Sequence, residues 1–372
     1  MAFGDKILTQ ARNSSIQLEE LAVAELRQSI DSYLPPSWGA RKMIDAYASY
    51  ANAGTNSNSE YLLMRKTFSD TKGQSHHVFS NVLATHIKPE KHNLAKTMFG
   101  EGDWDSVVRG AVRSLRQDGM WKAKFMLPDH IVQSLRDKGL KRFEAAHGDN
   151  VQKMLDGTEG APIQIKSSFE WISTFEEMYE VAADPVFLSI VQDYLGVPPI
   201  FDTPVMFLNG TAPVSTRDLS DVAQLYHHDM HRLAFVKLFM YLTDVDEGCG
   251  PHAMIPGTHL QRPDVLWADG RHTDEKVANA GILDKEVRIT GKAGTLFLVD
   301  TRALHKGVHP ETKSRLMAQV QYANSLFGKP LPATTRTFTE ARKSTSPDVQ
   351  ASAALVKKYA EKVGVRYMQA LI

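Results

Sequence analysis

The chain has 372 residues, enough for about two domains or one large domain with additions, and its 42% hydrophobic and 23% charged residues are ordinary for a soluble globular protein. Lys+Arg and Asp+Glu both number 43, so there is no basic excess of the kind that marks a nucleic-acid partner. The single cysteine, Cys249, excludes an intrachain disulfide and fits a reducing, cytoplasmic compartment, and no stretch reaches the roughly 18 apolar residues of a membrane span.

Residues 16–34 read as a helix, because Leu18, Leu21, Ala22, Leu26 and Ile30 recur at helical spacing and Pro35-Pro36 ends the run. A second helix is expected over Ala40 to Tyr50, stopping before Gly54. Residues 60–100 contain His76, His77, His86 and His92 without metal-like spacing, and the adjacent His76-His77 reads as surface or loop. Residues 1–103 are therefore expected to be a helical N-terminal extension without chemistry of its own, a cap or a surface for homo-oligomer formation. From Trp104 the pattern sharpens. Val107, Val108, Ala111, Val112 and Leu115 share a helical face that Gly119 closes, and Met120 to Met126 alternates as a strand. Pro128-Asp129 opens a helix through Leu140, Ile163 to Ile165 is a short strand, and Phe169 to Leu195 is helical with a break at Asp184-Pro185. After that the runs Pro198–Asn209, Leu233–Leu242, Glu286–Thr290, Thr295–Val299 and Leu316–Tyr322 read as strands of a sandwich or barrel. Gln261 to Lys285 is polar and reads as a long lid or binding loop, and Val349 to Met368 as a final helix.

The chemistry gathers in Gln224-Leu-Tyr-His-His-Asp-Met-His-Arg232. Residues two apart on an extended segment face one side, so His227 and Asp229 converge while His228 points away, out of the barrel. An imidazole and a carboxylate, joined by a distant histidine, make a facial triad for a metal such as Fe(II). His305, just after the strand Thr295–Val299, fits as that third ligand. Arg315 opens the next strand, where its fork suits a carboxylate.

The order of these features is a helix closed by Gly119, then Gln224-x-x-His227-x-Asp229, Tyr241-Leu-Thr-Asp-Val-Asp-Glu-Gly-Cys-Gly-Pro251, Ile255-Pro-Gly-Thr-His259, His305 and Arg315. Over roughly residues 107–325 it resembles the phytanoyl-CoA dioxygenase family of Fe(II)/2-oxoglutarate-dependent oxygenases. The resemblance implies an α+β protein with a double-stranded β-helix, or jelly-roll, core covered by helices. It implies Fe(II) on His227, Asp229 and His305, with 2-oxoglutarate and O2 as cosubstrates and Arg315 on the distal carboxylate of 2-oxoglutarate. It also implies hydroxylation of a small-molecule substrate with release of succinate and CO2, because family members that halogenate replace the carboxylate that Asp229 retains. One departure matters. Many members place a serine two residues after the distal histidine as a second partner for that carboxylate, and here the position is Gly307.

On the strand after the HxD motif, Phe235, Lys237, Phe239 and Tyr241 share the face opposite Val236, Leu238, Met240 and Leu242. Lys237 is thereby placed inside the barrel, where an anionic partner, 2-oxoglutarate or a substrate, would offset its burial. Asn209 is a second candidate for binding 2-oxoglutarate, while His231, His252 and Tyr241 are candidates for substrate contact. His259 reads as a turn-stabilising residue. The organisation expected is an extension over 1–103, a dioxygenase domain over 104–335 and a helical segment over 336–372. Two other classes compete: a zinc-dependent hydrolase on the same three ligands, and a non-catalytic cupin-like binding protein.

Overall fold

Alternating apolar residues build two antiparallel sheets that face each other. The computed structural model describes residues 17–28, 39–213, 224–330 and 346–363. Its nine strands are β1 (Met120–Met126), β2 (Gln164–Lys166), β3 (Ile200–Asn209), β4 (Phe235–Tyr241), β5 (His252–Met254), β6 (Val287–Ile289), β7 (Thr295–Val299), β8 (His305–Gly307) and β9 (Arg315–Ala323). The six-stranded sheet has the order β1-β7-β4-β9-β3-β2 and the three-stranded sheet β6-β5-β8. An antiparallel bridge from His227 to His305 extends the smaller sheet with the HxD segment. This is the jelly-roll expected from the sequence.

The alternation on β4 decides what each face meets. Val236, Leu238 and Met240 join the main core, which includes Val108 and Leu115 of the helix Trp104–Asp118 and Leu188 and Val191 of the helix Pro185–Leu195. Phe239 and Tyr241 face inward, into a second core with Met254, Phe297, Val299 and Met317. The helix Trp104–Asp118 is opened by Asp103, whose side chain accepts from Ser106 N, and stopped by Gly119 at φ 78. The N-terminal helices, at 17–28, Ala40–Ala53, Asn58–Asp70 and Gln74–His86, put Leu26, Tyr47, Met64 and Leu83 into the same main core. None of the described helices is long and apolar enough to cross a membrane.

Several expectations need correction. His76 is not at the surface. It lies within the helix Gln74–His86 and is fully buried edge-on to Phe68, their rings 5.0 Å apart. The helix opened by Asp129 runs on to His147, because Phe143 extends its buried face past Leu140. Residues 261–285 are not an open loop, since they contain the helix Asp274–Asn279 and bury Leu266, Trp267, His272 and Val277. The three-residue strands β5 and β8 are too short for periodicity to reveal. Residues 29–34 of the first expected helix and 364–368 of the last lie outside the described residues.

A buried ion pair ties the corners of this frame to the site. Asp300 N donates to Gly119 O at 2.8 Å, Arg302 Nε donates to the Asp300 carboxylate at 2.9 Å, and Tyr194 donates to it at 2.5 Å. Burial opposes ionisation of Asp300, but the Arg302 guanidinium outweighs it and holds the carboxyl at about 2. A depressed carboxyl pKa gives stability that is full above the unfolded value, near 4, and is lost as pH falls through the folded value. Asp300→Asn should therefore lose about 3 kcal/mol at pH 7, as expected for a broken buried pair. Urea melts from pH 7 down to pH 2 should show the wild type converging on the variant below about pH 4.

Candidate metal centre

The site begins with a backbone pair. His227 N donates to His305 O at 3.0 Å and His305 N returns a bond to His227 O at 2.9 Å. Residues that exchange both bonds sit directly opposite, so their side chains share a face, and the two imidazoles lie 4.2 Å apart. Asp229 N donates to Thr301 O at 2.7 Å, which holds the third residue against the same loop. Ligand atoms of His227, Asp229 and His305 all fall within 4.8 Å of one another.

The protonation pattern suits a metal. Nδ1 of His227 meets Leu225 O at 2.9 Å and Nδ1 of His305 meets Ala303 O at 3.0 Å. A carbonyl only accepts, so each Nδ1 carries the proton and each Nε2 keeps its lone pair. Those Nε2 atoms face the Asp229 carboxylate at 3.9 and 3.6 Å. Burial holds both histidines below the ordinary imidazole range, helped at His227 by the charge of His305. Burial works against ionisation of Asp229, but Lys237 prevails and keeps it well below the usual carboxylate range. Two neutral imidazoles and one carboxylate are the donor set that Fe(II) accepts.

Lys237 lies inside the barrel, as the alternation of β4 requires, and its partner there is the triad's own carboxylate. Its Nζ donates to Asp229 Oδ2 at 2.6 Å. One carboxylate oxygen is thereby committed to the ammonium, and the other, Oδ1, faces His227.

Arg315 is a further charged interior residue, at 1% exposure. Asn209 of β3 stands directly across from it on β9, and Arg315 Nη2 donates to Asn209 Oδ1 at 3.2 Å. Nε and Nη1 of Arg315 and Nδ2 of Asn209 are buried donors without a partner among the described residues. Burial lowers the Arg315 pKa, and three orphaned donors on two adjoining side chains form a cradle for a carboxylate. A Cβ on Gly307 would come within 3.3 Å of Arg315 Nη2. The position that lacks the family serine, on β8 of the smaller sheet, thus adjoins the guanidinium, and the Asn209 amide approaches that guanidinium from the neighbouring strand of its own sheet.

The remaining candidates separate. His252 is buried. It stacks on His305 at 5.4 Å and lies 4.8 Å from Phe239, and its Nε2 has no partner. The Tyr241 hydroxyl donates to Ile289 O at 2.7 Å and accepts from His252 N at 3.0 Å, so it is a strut between the sheets. His231 lies outside the ligand cluster, and its Nδ1 meets Gln321 Oε1 at 3.2 Å. His228 does point away from the triad, but into protein: it is buried, 5.7 Å from the Phe68 ring of the N-terminal helix Asn58–Asp70. Thr258 of the Ile255-Pro-Gly-Thr-His259 block accepts from Leu304 N at 2.9 Å and so fixes the residue before His305. Sequence reasoning missed Arg232, whose fork binds the buried Asp202 carboxylate at 2.9 and 2.8 Å behind His231. Its only signal was a charged residue closing the motif.

Residues 115–315, more than half of the chain, match the phytanoyl-CoA dioxygenase (PhyH) family. The chain belongs to that family, and with it to the Fe(II)- and 2-oxoglutarate-dependent oxygenases that use O2. No curated protein matches the sequence. Solved structures similar to it include the epimerase SnoN in complex with Fe3+, α-ketoglutarate and nogalamycin RO (17% identity, 63% of this chain and 93% of that chain, TM-score 0.44). HygX from Streptomyces hygroscopicus with nickel and 2-oxoglutarate bound is similar over 62% of this chain and 93% of its own (14% identity, TM-score 0.43). EctD from S. alaskensis with 2-oxoglutarate and 5-hydroxyectoine is similar over 63% and 82% (18% identity, TM-score 0.41).

The two adjacent histidines give a direct test. Equilibrium dialysis should show that His227→Ala weakens Fe(II) binding on the order of 100-fold or more, beyond the loss usual for a supporting residue. His228→Ala should leave iron binding within a few-fold of wild type and lower the melting temperature instead.

Proposed function

We propose that this oxygenase hydroxylates a C–H bond of a small-molecule substrate, with His227, Asp229 and His305 as the metal ligands and Arg315 as the anchor of 2-oxoglutarate. The balance is R–H + O2 + 2-oxoglutarate → R–OH + succinate + CO2. Bound Fe(II) and 2-oxoglutarate would supply the oxidative chemistry. The chain's own residues do the rest. His227 and His305 present neutral Nε2 atoms, and Asp229 offers one carboxylate oxygen because Lys237 occupies the other. The retained carboxylate fills the position that a halide would need, which favours hydroxylation over halogenation.

The observation that carries the reading is the set of buried, orphaned donors on Arg315 and Asn209 within the same barrel as the triad. A dicarboxylate with one end on the metal and the other on Arg315 satisfies them. A zinc hydrolase has no need of that cradle, and a binding protein has no need of the intact triad beside it. His252, stacked on His305 with a free Nε2, is suited to flank the same cosubstrate rather than the substrate. The buried Cys249 fits a reducing compartment and supports the cytoplasm as its place of action.

The test is the dependence of succinate formation on 2-oxoglutarate concentration. Arg315→Ala should raise the half-saturating concentration on the order of 100-fold, the scale of a truncated buried charge pair. Arg315→Lys should not restore it, because a point charge cannot replace a fork. Asn209→Ala should cost about tenfold, the scale of one hydrogen bond. An unchanged 2-oxoglutarate requirement in Arg315→Ala would overturn the assignment.

A further inference from the structure

The HxD segment is paired at both ends with chain that carries an unpartnered cation. At its start, Tyr226 forms an antiparallel bridge with His272, and His272 N donates to Tyr226 O at 2.8 Å. One step along that register sets Arg271 across from His227, and residues opposite each other share a face. Arg271 therefore belongs to the face that carries the triad. At the other end Arg232 bridges Gly328, and Lys329 N donates to His231 O at 2.8 Å. The backbone of Lys329 is thereby held beside His231, which is itself anchored on Gln321 of the interior face. Both cations are exposed, and among the described residues neither forms an ion pair or a side-chain hydrogen bond.

The carboxylates that could have neutralised them are already engaged. Asp229 is taken by Lys237, Asp202 by Arg232, and Asp269 by Arg65. Fe(II) with Asp229 and 2-oxoglutarate is a net monoanion, and Lys237 with Arg315 leaves that assembly with one positive charge in excess. Arg271 and Lys329 add to the excess. The charge of Asp229 reaches both of them, although burial dominates and lowers their pKa values. A site with this balance attracts anions and raises the local concentration of an anionic substrate.

The N-terminal helix Asn58–Asp70 seats both cation-bearing segments. Arg65 forks onto Asp269 at 2.7 and 2.5 Å, two residues before Arg271. Met64 lies against Gly328, one residue before Lys329, where a Cβ would overlap the His231 carbonyl oxygen and only glycine fits at φ 136. Two cations on separate loops are thus held in place by one helix.

We propose that the substrate is an organic acid, a carboxylate or a phosphate ester, whose acid group is bound by Arg271 and Lys329 so that its C–H bond lies over the triad. The proposal rests on the 2-oxoglutarate oxygenase reading above. The rest of the molecule would meet Phe235, on the interior face of β4 with its ring 5.9 Å from that of His231.

Calorimetric titration of the full chain, loaded anaerobically with Fe(II) and saturated with 2-oxoglutarate so that the Arg315 cradle is filled, tests this. The probes are 3-phenylpropanoate and 3-phenylpropyl phosphate, each against its uncharged counterpart, the amide and the alcohol. At least one acid should bind ten times more tightly than its neutral partner, and which one does so distinguishes a carboxylate from a phosphate ester. The Arg271→Gln/Lys329→Gln variant should lose tenfold or more in that affinity, and the single charge reversals Arg271→Glu and Lys329→Glu should each lose part of it. Acids that bind no better than their neutral partners, or that bind the double variant as well as wild type, would overturn the proposal. A wild-type chain that shows no 2-oxoglutarate isotherm at the loading step would instead sink the underlying oxygenase reading.

Discussion

The double hydrogen bond between His227 and His305 is the constraint on which the site depends. It joins two parts of the chain that are remote in sequence and sets their imidazoles on one face. A slip of one residue would turn His227 outward and bring His228 in. The surrounding structure guards that register from several sides. Thr258 holds Leu304, Thr301 O holds Asp229 N, and the buried Asp300–Arg302 pair fixes the loop between β7 and β8. The short strand β8 gains from its neighbours what three residues cannot supply alone.

Charge inside the barrel is arranged in units. Lys237 with Asp229 and Arg232 with Asp202 are buried pairs whose partners offset each other's desolvation. Arg315 differs, since its one side-chain partner is the neutral Asn209, which leaves a guanidinium with two free donors. An interior cation left in that condition is costly for stability and suited to an anionic cosubstrate. The same asymmetry recurs at the two ends of the HxD segment, where among the described residues Arg271 and Lys329 form no ion pair.

Much of this was legible in the sequence, for identifiable reasons. The alternation of β4 separates Lys237 and Phe239 from Val236 and Leu238 because a strand has period two, and Gly119 and Gly196 mark helix ends because each adopts a left-handed conformation. The HxD spacing, His305 and Arg315 were visible because short-range geometry and a family order both point to them. The partner of Lys237 was not visible. Its closest anion is the triad carboxylate, a fact of strand packing rather than of spacing. The burial of His76 and His228 was hidden as well, since both depend on Phe68 arriving from the N-terminal helices. Arg271 carries no local signal at all. Only the bridge between Tyr226 and His272 places it beside the triad, and the loop that bears it looked like open chain because the ion pair of Asp269 with Arg65 that ties it to the N-terminal helices joins residues remote in sequence.

The central claim is that one barrel holds a facial triad for Fe(II) and, across from it, a carboxylate cradle for 2-oxoglutarate. Anaerobic addition of Fe(II) and then 2-oxoglutarate, followed by visible absorption, tests both halves together. The wild type should develop the metal-to-ligand charge-transfer band of a chelated keto acid, and His227→Ala should lose it. A wild-type protein that binds Fe(II) and 2-oxoglutarate yet develops no such band would contradict it.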